Sequence, residues 1–189
     1  MPLALMLGGC DRQTPGAAQP ASTPTEQAAA TSAATPPSGK IDIANRGAAI
    51  PDFTFTDPSG EKLRTLDLKG KPVLINLWAT WCGPCVLEMP MLDTLAAKHK
   101  DALRVLTVSQ DLDAAEKVTT FYAARKFVYL KPWLDPDNNL SFHYNTGVLP
   151  TTVLYDAKGR EVWRIVGAYD WLGPRTDAML AETIGAAGG

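Results

Sequence analysis

The chain has 189 residues, a net charge of −2, three cysteines and two histidines. With no cluster of Lys and Arg, it lacks the footing for nucleic-acid binding, which depends on neutralising several phosphates at once. The part up to about residue 40 is unfit to pack, which leaves roughly 150 residues and one compact domain.

In chain order, residues 1–10 come first. They are mostly apolar and run into Leu7-Gly8-Gly9-Cys10, which resembles the lipobox of bacterial lipoproteins. That resemblance implies cleavage before Cys10, lipidation of its sulfur and attachment to a membrane. No Lys or Arg precedes the apolar run, and the run is short for a signal segment, as a start codon assigned too far downstream would explain. The alternative is a free cysteine in an unstructured tail. Residues 11–45 are rich in Ala, Pro, Thr, Ser and Gln. Such a stretch cannot bury enough surface to offset its ordering entropy, so a flexible tether is expected there, with the folded domain over 46–189. Asp11 resembles the inner-membrane retention signal of some lipoproteins.

Asp52 to Thr56 alternates polar and apolar, Asp57-Pro58-Ser59-Gly60 supplies a turn, and Lys62-Leu63-Arg64 resumes, which predicts a short hairpin. The apolar run Val73 to Ala79 predicts a central strand covered on both faces. From Cys82 to Lys98, Val86, Met89, Leu92, Leu95 and Ala96 recur at helical spacing, with Pro90 inside. A second strand is expected over Leu103–Val108, then a helix opened by Asp113 as N-cap and Glu116 at N3, with Val118, Phe121 and Tyr122 inward. The pattern predicts a short strand at Phe127–Leu130 and a short helix over Leu140–Tyr144. Strands at Thr151–Tyr155 and Glu161–Val166 flank the turn Asp156 to Arg160, and Leu172, Met179, Leu180 and Ile184 mark a closing helix.

The pattern places Trp81-Cys82-Gly83-Pro84-Cys85 at a strand-to-helix junction. A cysteine at a helix N-terminus faces unpaired backbone N–H groups and the positive end of the macrodipole, both of which favour thiolate. The first cysteine of such motifs can have a pKa of about 3.5 to 7.5 and attacks at neutral pH. Cys82 is therefore the expected nucleophile, and Cys85, one turn on and inward, the group that resolves the mixed disulfide. A bridge across two intervening residues stabilises little, so its use is chemical. Structural zinc would want two more ligands, and only His99 and His143 remain. No metal or other cofactor is expected. A peroxidase of the peroxiredoxin type would want Pro and Thr or Ser where Ile75 and Ala79 stand.

The stretch Asn76 to Pro90, reading Asn-Leu-Trp-Ala-Thr-Trp-Cys-Gly-Pro-Cys-Val-Leu-Glu-Met-Pro, resembles the active-site segment of the TlpA/ResA-like thioredoxin family. Leu149-Pro150-Thr151-Thr152 resembles its second signature. The resemblance implies an α/β fold: a thioredoxin-like three-layer α/β/α with a central mixed sheet, an N-terminal β-hairpin extension and a cis-proline loop at Pro150. It implies substrate contact at Trp81, Gly83, Pro84, Leu149 and Pro150. Thioredoxins carry a buried Asp in the strand before the motif; the matching residue here is Asn76, which cannot ionise. Glu88 matches the glutamate that ResA-like proteins hold near the disulfide, and is the expected proton carrier for Cys85.

The same resemblance implies a monomeric periplasmic reductase of protein disulfides, for example in cytochrome c maturation, recharged by a membrane electron donor of the DsbD/CcdA type. The alternatives are a disulfide oxidase and a copper-related thiol chaperone for cytochrome oxidase assembly, since two thiolates can hold Cu(I). The Gly-Ala-Pro-Glu pattern of the CcmG branch is absent before Pro150.

Overall fold

The structure, a computed structural model, describes residues 39–185; Cys10 and residues 11–38 of the expected tether lie outside them. Strands β1 (Lys40–Asp42), β2 (Thr54–Thr56), β3 (Lys62–Arg64), β4 (Val73–Trp78), β5 (Arg104–Ser109), β6 (Pro132–Leu134), β7 (Thr151–Tyr155) and β8 (Glu161–Val166) form one sheet in the order β1-β8-β7-β4-β5-β6-β2-β3. Strands β4, β5 and β6 run parallel, and the other pairings are antiparallel. The helices are α1 (Gly83–Lys98), α2 (Ala114–Arg125), α3 (Asn139–Tyr144) and α4 (Pro174–Gly185). This is the thioredoxin-like α/β fold, with the β2–β3 hairpin as an added edge.

All of β4 is buried, and its alternation splits the core. Val73, Ile75 and Leu77 join Leu68 of a 3-10 helix (Thr65–Leu68) and Leu140 and Tyr144 of α3. Leu74 and Trp78 meet Met89, Leu92 and Leu95 of α1, Val118 of α2 and Leu180 of α4 on the opposite face. The layers are uneven because β4, β5 and β6 step in one direction across the sheet, so right-handed crossovers put α1 and α2 on one side. Burying each of these large side chains contributes about 1.5–3 kcal/mol.

Four local expectations change. Strand β1 falls inside the 11–45 stretch assigned to a tether. Lys40-Ile41-Asp42 pairs with Val166, Ile165 and Arg164 of β8, and Ile41 packs on the core. The folded part thus takes in Gly39, whose backbone lies so near β8 that a Cβ there would sit 2.6 Å from Ala168 O. Phe127–Leu130 is a loop instead of a strand, because the Asp93 carboxylate of α1 accepts the N–H groups of Tyr129 (2.8 Å), Leu130 (3.0 Å) and Val128 (3.3 Å), and β6 starts at Pro132. Asp113 flanks α2 without capping it; its side chain pairs instead with Lys117, at 3.7 Å. Leu172 lies before α4 and is half exposed.

Candidate functional site

Strand β4 ends at Trp78, and three residues later the chain turns into α1 with Cys82 as its N-cap. Cys82 Sγ accepts the Cys85 N–H at 3.3 Å, and Pro84 sits in the first turn, where a missing N–H costs nothing. Cys82 and Cys85 are joined in a disulfide, with Cα atoms 5.2 Å apart. Cys82 keeps 6% exposure against 1% for Cys85, so the first cysteine is the more accessible of the pair. Trp81 is 71% exposed, and a Cβ at Gly83 would meet nothing within 4 Å, which leaves the surface beside Cys82 open.

The turn before Cys82 is held by a residue that sequence reasoning did not single out. Asp111, two residues past the end of β5 and buried, accepts the Thr80 N–H (2.9 Å), the Thr80 hydroxyl (2.6 Å) and the Ser109 hydroxyl (2.8 Å). Three neutral donors on one buried carboxylate fix the backbone two residues from the nucleophile. Thr80→Val removes one of them, and urea denaturation is expected to register a loss of about 1–2 kcal/mol.

The second signature arrives from β7. Its antiparallel register sets Thr151 opposite Leu77 and Thr152 opposite Asn76, which brings Pro150 to the end of β4 where Cys82 follows. The Leu149–Pro150 peptide is cis. Among the described residues no hydrogen bond reaches the Leu149 N–H or C=O; the adjoining groups are occupied, Val148 O by the Thr151 hydroxyl at 2.7 Å and Pro150 O by the Gly167 N–H at 2.9 Å. Asn76, buried on the α1 side of the sheet, donates to Thr152 Oγ1 at 2.9 Å.

Glu88 lies on the buried stripe of α1, with Cys85, Met89, Leu92, Leu95 and Ala96. At 2% exposure it is not a solvated helix glutamate. Its Oε1 accepts the backbone N–H of Tyr169, from the loop between β8 and α4. Its Oε2 and the Trp171 indole Nε1 are both buried and hydrogen-bonded to nothing among the described residues, although the indole N–H is near enough to favour the charged carboxylate. Burial dominates, pushing the carboxyl up to about 7, against the pull of the Tyr169 and Trp171 N–H groups. Tyr169 and Trp171 pack edge to face with ring centroids 5.1 Å apart. Neither was predicted from the sequence, because they come to α1 from a distant loop, Tyr169 lying 81 residues from Glu88.

His99 and His143 do not join the site: His99 follows the far end of α1, and His143 lies on α3 beside Phe53. Among the described residues no three His, Cys, Asp or Glu side chains converge as a metal site would require, and no helix is long and apolar enough to cross a membrane.

The redoxin family model matches residues 45–180, most of the chain. The chain belongs to the redoxin family. Within it, the chain is 35% identical over 121 residues to the thiol-disulfide oxidoreductase ResA of Bacillus cereus, covering 64% of this chain and 69% of that protein. It is 38% identical over 114 residues to the thioredoxin-like protein YneN of Bacillus subtilis, covering 60% and 66%. Among solved structures, it is similar to a chain assigned as the thiol:disulfide interchange protein DsbE of Chlorobium tepidum (TM-score 0.64, 28% identity, covering 76% and 98%). It also resembles the pneumococcal exposed lipoprotein thioredoxin of Streptococcus pneumoniae (TM-score 0.59, 26% identity, covering 72% and 99%). This redoxin is of the TlpA/ResA-like type and is a thiol–disulfide oxidoreductase acting on protein substrates.

Proposed function

We propose that the protein is an extracytoplasmic reductase of protein disulfides in which Cys82 attacks, Cys85 resolves and Glu88 takes the Cys85 proton. The observation that carries this reading is a disulfide at the N-terminus of α1 followed one turn later by a buried carboxyl titrating near neutrality. The Cys82 thiolate attacks a substrate sulfur, and the other substrate sulfur leaves with the electron pair of the broken bond. Cys85 then loses its proton to the Glu88 carboxylate and attacks Cys82 Sγ. The two substrate sulfurs leave as thiolates and take up protons from water, and the enzyme, two electrons poorer, remains as the Cys82–Cys85 disulfide. An incoming extended chain would lie over Gly83 and Pro84, pair with the free backbone groups of Leu149 beside Pro150, and rest an apolar side chain on Trp81.

The reductive direction is supported by the Gly-Pro pair between the cysteines, which is the choice of thioredoxin, at about −270 mV, whereas the oxidant DsbA lies at about −120 mV. Equilibration with glutathione or dithiothreitol is expected to give a potential on the thioredoxin side. A value close to that of DsbA overturns the reductase direction. A reductase outside the cytoplasm must be recharged, and a membrane donor of the DsbD/CcdA type is the partner proposed, with apocytochrome c among the disulfides reduced.

The anchor proposed is a lipid on Cys10, supported by the Leu7-Gly8-Gly9-Cys10 motif and by likeness to a protein described as an exposed lipoprotein. Cys10→Ser is expected to move the protein from the membrane to the soluble fraction. A wild-type protein already soluble refutes the anchor and leaves the chemistry untouched.

A further inference from the structure

We infer that Trp171 is the partner of Glu88 in its ionised state: the indole Nε1–H closes a hydrogen bond on Glu88 Oε2 when the carboxyl loses its proton and releases it when the proton returns. The inference rests on the Glu88 reading above and assigns Trp171 as a positioning residue.

A buried donor and a buried acceptor, neither hydrogen-bonded among the described residues, are the starting observation: Trp171 Nε1 and Glu88 Oε2, in residues 1% and 2% exposed, with the indole N–H near enough to act on the carboxyl. Buried polar groups in folded proteins are almost always paired, so two complementary orphans side by side require a reason. The Tyr169 N–H already occupies Oε1, so the proton of neutral Glu88 resides on Oε2. There the carboxyl turns an O–H toward an N–H, donor against donor, and its hydroxyl oxygen is a far weaker acceptor than a carboxylate oxygen. Ionised, Oε2 becomes a strong acceptor, and the vacant indole N–H is the donor beside it.

The loop is built to keep the indole near. The Gly39 N–H donates to Ala168 O at 2.6 Å, the Thr176 hydroxyl to Asp170 O at 2.7 Å, and the Leu172 N–H to Asp170 Oδ1 at 3.1 Å. The Gly167 N–H donates to Pro150 O at 2.9 Å, so the segment that carries Trp171 is also tied to the cis-proline loop.

Other titratable groups around Glu88 are committed elsewhere. Cys85 on its own helix is in the disulfide, and the Tyr169 hydroxyl donates to Met179 Sδ of α4 at 3.4 Å. Asp170 is exposed on the loop, Asp177 of α4 pairs with Lys98 at 2.6 Å, and Asn76 of β4 is neutral. In the exchange cycle, the proton that Cys85 gives up arrives at Oε2, and the indole is let go.

The test uses the full chain in its disulfide form, in which no active-site thiol titrates, with indole ¹⁵N–¹H and carboxyl ¹³C resonances followed as pH is raised. The Trp171 Nε1–H signal is expected to shift with the same midpoint as the Glu88 carboxyl carbon, and to stay flat in Glu88→Gln. Trp171→Phe is expected to raise the Glu88 midpoint by about one unit, the worth of a hydrogen bond to a charged group. A Trp171 signal that does not move while Glu88 titrates overturns the inference, as does an unchanged midpoint in Trp171→Phe. If Trp171→Phe fails to fold, the comparison of wild type with Glu88→Gln decides by itself. Tracking of Glu88 by Trp171, together with Glu88→Gln exchange at wild-type rates, supports the pairing and overturns the proton relay, so the two readings fail separately.

Discussion

Cys82→Ser is expected to lose at least about 10³-fold in the reduction of a protein disulfide, and Cys85→Ala to stop after the first step with the substrate covalently held. The asymmetry follows from where α1 begins. Cys82 is the N-cap, facing the unpaired N–H groups of the first turn, and a serine hydroxyl at that position is far too weak an acid to be ionised by the same field. Cys85, three residues on and 1% exposed, faces the core and is bonded to Cys82. Removing it leaves attack intact and takes away release, so a mixed disulfide at Cys82 accumulates. Mass spectrometry of Cys85→Ala after exposure to a disulfide substrate should find one substrate chain per enzyme. Full turnover by Cys85→Ala, or an adduct on Cys82→Ser, would contradict the assignment of roles.

The second large effect is a trade between stability and rate at Glu88. Its carboxyl titrates near 7 in the folded protein against 4.5 for an unburied glutamate. Between those two values the folded protein holds a proton that the unfolded chain has released, so this group's contribution to stability falls as pH rises and is fully lost above about 7. The loss by pH 8 is about 3 kcal/mol, an upper figure, and Glu88→Gln escapes it. Chemical denaturation of the disulfide form should therefore find Glu88→Gln nearly equal to wild type at pH 4 and more stable at pH 8. Its exchange rate should fall on the order of 10²-fold at neutral pH and lose the inflection near 7. A variant with unchanged rate and unchanged pH profile would remove Glu88 from the proton path, whatever its stability.

A destabilising carboxyl kept beside the reacting sulfurs is what strain stored at a functional site looks like in electrostatic form. The same residue illustrates how much of the site could be read in advance. Positions 85, 88, 89, 92, 95 and 96 are one helical stripe, and in the linear pattern Glu88 is the charged residue on an otherwise apolar face. Glu88 itself was singled out by the family resemblance, whereas the apolar spacing pointed to Val86, which is not among the buried residues of α1. The groups that adjust Glu88 were not legible, because Tyr169 and Trp171 reach it through a loop whose path is set by β8, α4 and the Gly39 contact.

The misplaced strand at Phe127–Leu130 has a similar origin. A run of apolar and aromatic residues satisfies the strand pattern, but Asp93, 35 residues earlier on another element, captures its N–H groups. Asp113 followed by Glu116 reads as a capped helix start, and the helix does start there. The carboxylate, however, remains exposed and pairs with Lys117.

What the amino-acid sequence determined by itself is what local chemistry can determine. The buried alternation of β4, the turn, a cysteine at the first unpaired N–H groups of α1 and a second cysteine one turn inside lie within about thirty consecutive residues, where backbone geometry fixes relative position. The tertiary structure decided the rest: the arrival of Leu149 and Pro150 across the β4–β7 register, the Asp111 hold on Thr80, and the burial of Glu88 under the Tyr169 N–H. Desolvation and hydrogen bonding depend on which distant segments come together, and those contacts exist only once the sheet order and its crossovers have been set.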